Sequence, residues 1–152
     1  MQISGPSRYG ITFDKNGITG VEAPDGGTVF SGAASRKVPK LYVISHNEQP
    51  LYVGVTKQRL RERLRLGFQA NSSHGYHGYA WRHNLCDAFI DVWAEEASDL
   101  SLANIETIEA EVVFLIRQNF GQWPSYQTEI HFHPSEATHR DAAWNIVTHY
   151  TR

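Results

Sequence analysis

Apolar positions change period along this chain, and the changes mark out its elements. Leu41 to Ile44 and Leu51 to Val55 are short apolar runs rich in β-branched residues, separated by the polar Ser45-His46-Asn47-Glu48-Gln49-Pro50. Two such runs predict a β-hairpin with a longer loop. Phe89-Ile90-Asp91-Val92-Trp93-Ala94 alternates and has the β-branched and aromatic content of a third strand. Between them, Leu60 and Leu64 lie four residues apart and predict a helix over about 57–67 with one apolar stripe. Ile105, Ile108, Val112, Leu115 and Ile116 repeat at helical spacing, with Ser101 placed as N-cap and Gly121 as stop, so a helix is predicted over about 102–120. Ala80 to Leu85 holds a helical turn or two, and Ser135 to Tyr150 a final, weakly periodic helix.

Outside this core, Gly10-Ile-Thr-Phe-Asp14 and Gly17-Ile-Thr-Gly-Val21 flank an Asn16-Gly17 pair, the signature of a small hairpin. Thr28-Val29-Phe30 suits another short strand before the basic linker Arg36-Lys37-Val38-Pro39-Lys40. Residues 71–79, dense in Gly, His and Tyr, read as an ordered loop, and residues 123–134 as a turn followed by an extended segment. The expected fold is α/β of the α+β kind: a small, three-stranded, mostly antiparallel sheet flanked by helices. A β-rich N-terminal extension spans 1–39, the core 40–130 and a C-terminal extension 131–152.

Composition narrows the class. A chain of 152 residues, 41% hydrophobic and 20% charged, suits one globular domain. It has no apolar run of membrane-spanning length, and its start lacks the order of a signal peptide, so a cytosolic protein without a membrane partner is expected. Cys86 is the only cysteine and has no partner for an internal disulfide. The net charge of −2 announces no nucleic-acid binder, but its distribution is uneven. Lys57, Arg59, Arg61, Arg63 and Arg65 crowd nine positions against the single Glu62, while acid concentrates from Glu95 to Glu111. Screening confines distant acids to about 10 Å, so the arginine segment can still serve as a phosphate footprint.

The segments Lys40-Leu41-Tyr42 and Tyr52-Val53-Gly54, ten residues apart and followed by Leu60-Arg61-Glu62-Arg63-Leu64, resemble the core of the GIY-YIG nucleases. The leading Gly-Ile of the family is Lys-Leu here, and the central Ile of its second motif is Val. The resemblance implies a divalent-metal-dependent endonuclease that hydrolyses DNA phosphodiesters. Tyr42 and Tyr52 would line the site, one of them as base, and Arg63 would bind the scissile phosphate. A carboxylate on the long helix would hold Mg2+ or Mn2+: Glu109 matches the family pattern, in which a pair of aliphatics follows shortly, and Glu111 is the alternative. Gln127, in Pro124-Ser125-Tyr126-Gln127, falls where the family often carries Asn. Some relatives place a histidine soon after the arginine, which puts His74 or His77 at the site.

The residue chemistry agrees with these roles. A phenol can move a proton if neighbouring cations depress its pKa from near 10. Arginine's planar fork suits phosphate, and Arg59 and Arg63 share a helix side at i, i+4. One carboxylate, with water and phosphate completing the shell, is typical of magnesium. Lys57, Arg59, Arg61 and Arg65 are expected on DNA backbone, single- or double-stranded, or simply solvated. A single-metal site cuts one strand at a time, so a double-strand break needs a homodimer or two encounters. Tyr76, Tyr79 and Trp81 suit either stacking on exposed bases or closing the core. A zinc site from His131, His133 and His139 is disfavoured because no thiol accompanies them. Two other classes compete: a nucleic-acid-binding module with weak or lost catalysis, and a small-molecule or protein-binding domain whose tyrosines are structural.

Overall fold

The computed structural model describes residues 3–70, 79–94, 101–127 and 133–151. Its centre is an antiparallel sheet of five strands: β1 (Ser4–Asp14), β2 (Gly17–Glu22), β3 (Lys40–His46), β4 (Gln49–Thr56) and β5 (Asp87–Ala94). The spatial order is β2-β1-β5-β3-β4. The sheet therefore has two strands more than the three predicted, because the N-terminal hairpin is not an appendage. A three-stranded sheet would leave the backbone groups along one side of β5 open, and β1 pairs there from Ser4 opposite Ala94 to Thr12 opposite Asp87. β5 thereby becomes the middle strand, and Ile90, Val92 and Trp93 are all buried. Residues 28–30 form no strand; they lead instead into a 3-10 turn at Gly32–Ser35.

The first hairpin turns where its Asp14-to-Gly17 segment predicts, and the second turns more tightly than its polar linker implies. Asp14 pairs with Gly17 across Lys15-Asn16, where the Asp14 carboxylate accepts from the Asn16 amide at 2.7 Å and Gly17 takes φ 131°. At the second hairpin the strands run on to His46 and Gln49, leaving only Asn47-Glu48 as the turn. Both of these residues have positive φ, 51° and 64°, as a type I′ turn requires.

Helix α1 (Leu60–Gln69) buries Leu60, Leu64 and Phe68 against one face of the sheet, together with Tyr9, Ile11, Phe13, Tyr42, Ile44 and Ile90. Arg82, on the 3-10 turn Ala80–His83, closes its C-terminus by donating to the carbonyls of Gly67 and Ala70. The other face carries α2 (Leu102–Phe120) and α3 (Ala137–Thr148) over Leu41, Val43, Val53 and Trp93. Ser101 caps α2 by accepting from the Asn104 amide at 3.1 Å, and Gly121 ends it in the left-handed region at φ 76°.

Two polar fastenings complete the frame. Asp91, fully buried in β5, accepts from Arg8 at 2.8 and 2.9 Å and from the Tyr150 hydroxyl at 2.6 Å, tying the end of the α3 segment to the middle of the sheet. A buried carboxylate is tolerable only when satisfied in this way. The edge of β4 is covered by residues 126–127, the Tyr126 amide donating to the Leu51 carbonyl at 2.9 Å. No helix among the described residues is long and apolar enough to cross a membrane.

Candidate functional site

Tyr42 on β3 and Tyr52 on β4 point to the α1 face of the sheet, because Tyr42 stands opposite Gly54 and Tyr52 opposite Ile44 in the antiparallel register. The glycine of Tyr52-Val53-Gly54 has a steric reason: a Cβ at Gly54 would lie 2.6 Å from Tyr42 Oη. Tyr42 fills that space and is fully buried, while Tyr52 is partly buried at the edge, with ring centroids 6.1 Å apart.

A third tyrosine completes the group. Tyr79 packs its ring edge-on to Tyr52 at 5.5 Å, and its hydroxyl meets that of Tyr42 at 2.8 Å. Arg63, on the inner flank of α1, lays its guanidinium over the Tyr79 ring, 5.0 Å from the centroid. Sequence reasoning left Tyr79 between base stacking and core closure; both it and Trp81, stacked 5.0 Å apart, are buried and close the core. The sequence signal that could have found Tyr79 is Gly67, a glycine inside a helix, where the α1 backbone leaves room for the Tyr79 ring.

Glu109 comes from the opposite layer. α2 packs against β4 and β3 close to the sheet edge, and Glu109 is buried there at 6% exposure. Its negative charge acts on the Tyr52 phenol from one side, as the positive charge of Arg63 does from another. Tyr42, Tyr52, Tyr79 and Arg63 thus form one cluster from β3, β4, α1 and a loop, with Glu109 on the other layer near enough for its charge to reach the Tyr52 phenol. Glu111, the alternative ligand, is half-buried on the same helix.

The condition under which a phenol would serve as base, a pKa depressed by neighbouring cations, is not met: both tyrosines are shifted upward, Tyr42 by burial and then its neighbour Tyr79, Tyr52 by burial and then Tyr42. Arg63 opposes the shift in both without reversing it. Removing an ionisable hydroxyl from water outweighs one partly buried cation, so both phenols remain protonated near neutrality.

Gln127 lies on the edge of β4. Its side-chain Oε1 accepts from the Val53 amide at 2.9 Å and its Nε2 donates to the Val53 carbonyl at 3.1 Å, so the amide mimics a neighbouring strand. Lys57, Arg59, Arg61 and Arg65 are all exposed, Arg59 pairing with Glu62 at 3.3 Å. His74, His77 and Tyr76 lie outside the described residues, as does His131. Of the remaining zinc candidates, His133 bonds Glu106 at 2.8 Å and His139 bonds Asn104 at 2.9 Å while capping α3. Among the described residues, no three of His, Cys, Asp and Glu gather as a metal cluster. Glu109 is a single hard carboxylate, which fits a magnesium ion otherwise held by water and phosphate and does not fit zinc.

Comparison with known proteins adds no relative: no family model, curated protein or solved structure matches the chain.

Proposed function

We propose that the protein is a divalent-metal-dependent endonuclease with a GIY-YIG-like core, cutting DNA phosphodiester bonds one strand at a time. The observation that carries this reading is the packing of Arg63 on the tyrosine cluster, with the charges of Arg63 and of Glu109, from helices on opposite faces of the sheet, both within reach of the Tyr52 phenol. A guanidinium that can bind phosphate and a carboxylate that can ligate a metal, both near a partly buried phenol, would meet the needs of phosphodiester hydrolysis.

Arg63 would bind the non-bridging oxygens of the scissile phosphate, held in place by its stacking on Tyr79. Tyr52, the more exposed phenol, would hold the attacking water as a neutral hydroxyl, with Tyr42 and Tyr79 fixing its orientation behind it. Glu109 would be the ligand for Mg2+ or Mn2+. When bound, the ion would supply Lewis-acid stabilisation of charge on the phosphoryl oxygens.

A nucleic-acid-binding module with weak or lost catalysis is the second reading, favoured by the upward shift of both phenols and by the use of Gln127 to cover β4. One experiment separates them. The protein is incubated with single-stranded and duplex DNA plus Mg2+ or Mn2+, beside Arg63→Ala, Glu109→Gln and Glu111→Gln. Metal-dependent cleavage lost in the first two and kept in the third supports the nuclease with Glu109 as ligand. Binding without cleavage at any metal concentration favours the module, and neither binding nor cleavage returns the tyrosines to a purely structural role in a small-molecule or protein-binding domain.

A further inference from the structure

The N-terminal hairpin and the outer flank of α1 enclose a groove that the reactive cluster does not use. Two adjoining cavities, of about 460 and 240 Å³, lie along it. The first is walled by Ile18, Val21, Val29 and Phe30 on one side and by Arg59 and Arg61 on the other. The second continues past Asn16 and Ile18 to Arg61, Arg65 and Phe68. Arg61 belongs to both and joins them into one track.

Its geometry follows from helix periodicity. Arg61 and Arg65 are one helical repeat apart and share a flank, whereas Arg63 is about 200° round the helix from Arg61 and faces the tyrosines. The apolar wall is fixed: Phe30 packs on Tyr9 with ring centroids 4.9 Å apart, and Tyr9 donates to the Ser31 carbonyl at 3.0 Å. Val29 nevertheless stands 65% exposed above it.

Charge and polarity select the occupant. Three arginines line the track and no carboxylate does. Arg61 and Arg65 make no ion pair with any described residue. A surface of arginines facing an apolar wall needs a ligand that offers anionic groups on one side and apolar faces on the other. A single nucleic-acid strand has both, phosphates for the guanidiniums and unpaired bases for Ile18, Val21, Val29 and Phe30. A duplex turns its base faces inward and would leave the apolar wall uncovered.

We infer that this groove is a binding track for a single strand of nucleic acid, separate from the Arg63 centre and built by the N-terminal hairpin. It rests on the reading above only in that the bound strand would lead to that centre on the other flank of α1. The test is binding to labelled dT12 and rU12 by fluorescence anisotropy in EDTA, which removes any dependence on cleavage, with a 12-base-pair duplex as comparison. Wild-type protein should bind at least one of the single strands more tightly than the duplex. Arg61→Ala/Arg65→Ala should weaken that binding at least tenfold and lower the slope of log affinity against log salt by about 1.4, as expected for two lost contacts to a single strand. Val29→Glu should also weaken it with an unchanged melting temperature. Absence of binding, equal or tighter binding to duplex, or variants that bind like wild type would overturn the inference. Cleavage activity surviving any of those results would leave the nuclease reading standing, while groove-dependent binding without cleavage would do the reverse.

Discussion

Gly67 lies against the ring of Tyr79, so close that a Cβ there would stand well inside van der Waals contact of its Cε2. The α1 backbone thus sets how near the third tyrosine can approach Tyr42 and Tyr52. Replacing a helical glycine by alanine normally stabilises by about 1 kcal/mol. Here the sign should reverse: Gly67→Ala is expected to destabilise by about 1–3 kcal/mol through overpacking. Urea unfolding measures it, and a gain in stability would show that Tyr79 does not sit where described.

The Tyr42 and Tyr79 hydroxyls share a buried 2.8 Å hydrogen bond. Tyr79→Phe leaves the Tyr42 hydroxyl with a lost partner, at a cost of about 1–3 kcal/mol. Tyr42→Phe should cost a similar amount, and the double variant clearly less than the sum, with a coupling of about 0.5–3 kcal/mol in a double-mutant cycle. Strict additivity would mean that the pair is not coupled.

Gln127 holds both backbone groups of Val53, as an acceptor at 2.9 Å and a donor at 3.1 Å. A glutamate there keeps the acceptor but cannot donate, so Gln127→Glu should lower stability by about 1–3 kcal/mol. The Val53 amide should remain slow to exchange in Gln127→Glu and become fast in Gln127→Ala. Equal exchange in the two variants would contradict this bonding.

Lys40, fully buried at the start of β3, donates to the carbonyls of Arg36 at 2.9 Å and Gln58 at 2.6 Å. Burial, and then the charge of Arg36, push its ammonium down from 10.5 to about 8. Between these values the unfolded chain binds more protons at this site, so stability rises with pH. Above about 10 the trend turns over, because phenols released on unfolding ionise while buried Tyr42, Tyr52 and Tyr150 stay protonated. Unfolding free energies at pH 7.5, 8.5 and 9.5 should increase for wild type and stay flatter for Lys40→Met.

Glu48 occupies a left-handed position at φ 64° in the second hairpin turn. Glycine removes the Cβ strain there, so Glu48→Gly, which creates the favoured Asn-Gly turn, should stabilise by about 0.5–1 kcal/mol. The gain should appear in the melting temperature without a change in strand content.

Periodicity alone marked the elements whose signals are local. Ser101 and Gly121 bound α2 as read because a cap and a left-handed stop act within one turn. Leu60 and Leu64 gave the buried stripe of α1, and the two apolar runs gave the β3–β4 hairpin. The length of that hairpin's turn escaped, because His46 and Gln49 are polar residues that pair through their backbones.

The order of Tyr42, Tyr52, Arg63 and Glu109 along the chain, with their residue types and their places on strand or helix, was thus determined by the sequence. Tertiary structure decided the rest. The pairing of β1 with β5 made five strands of three, since strand partners far apart in sequence leave no periodic trace. Packing brought Tyr79 onto Tyr42 through the space at Gly67, and bound Gln127 to the edge of β4. Burial set the phenols above their ordinary range, because desolvation depends on what surrounds a group in space and not on its neighbours in the chain.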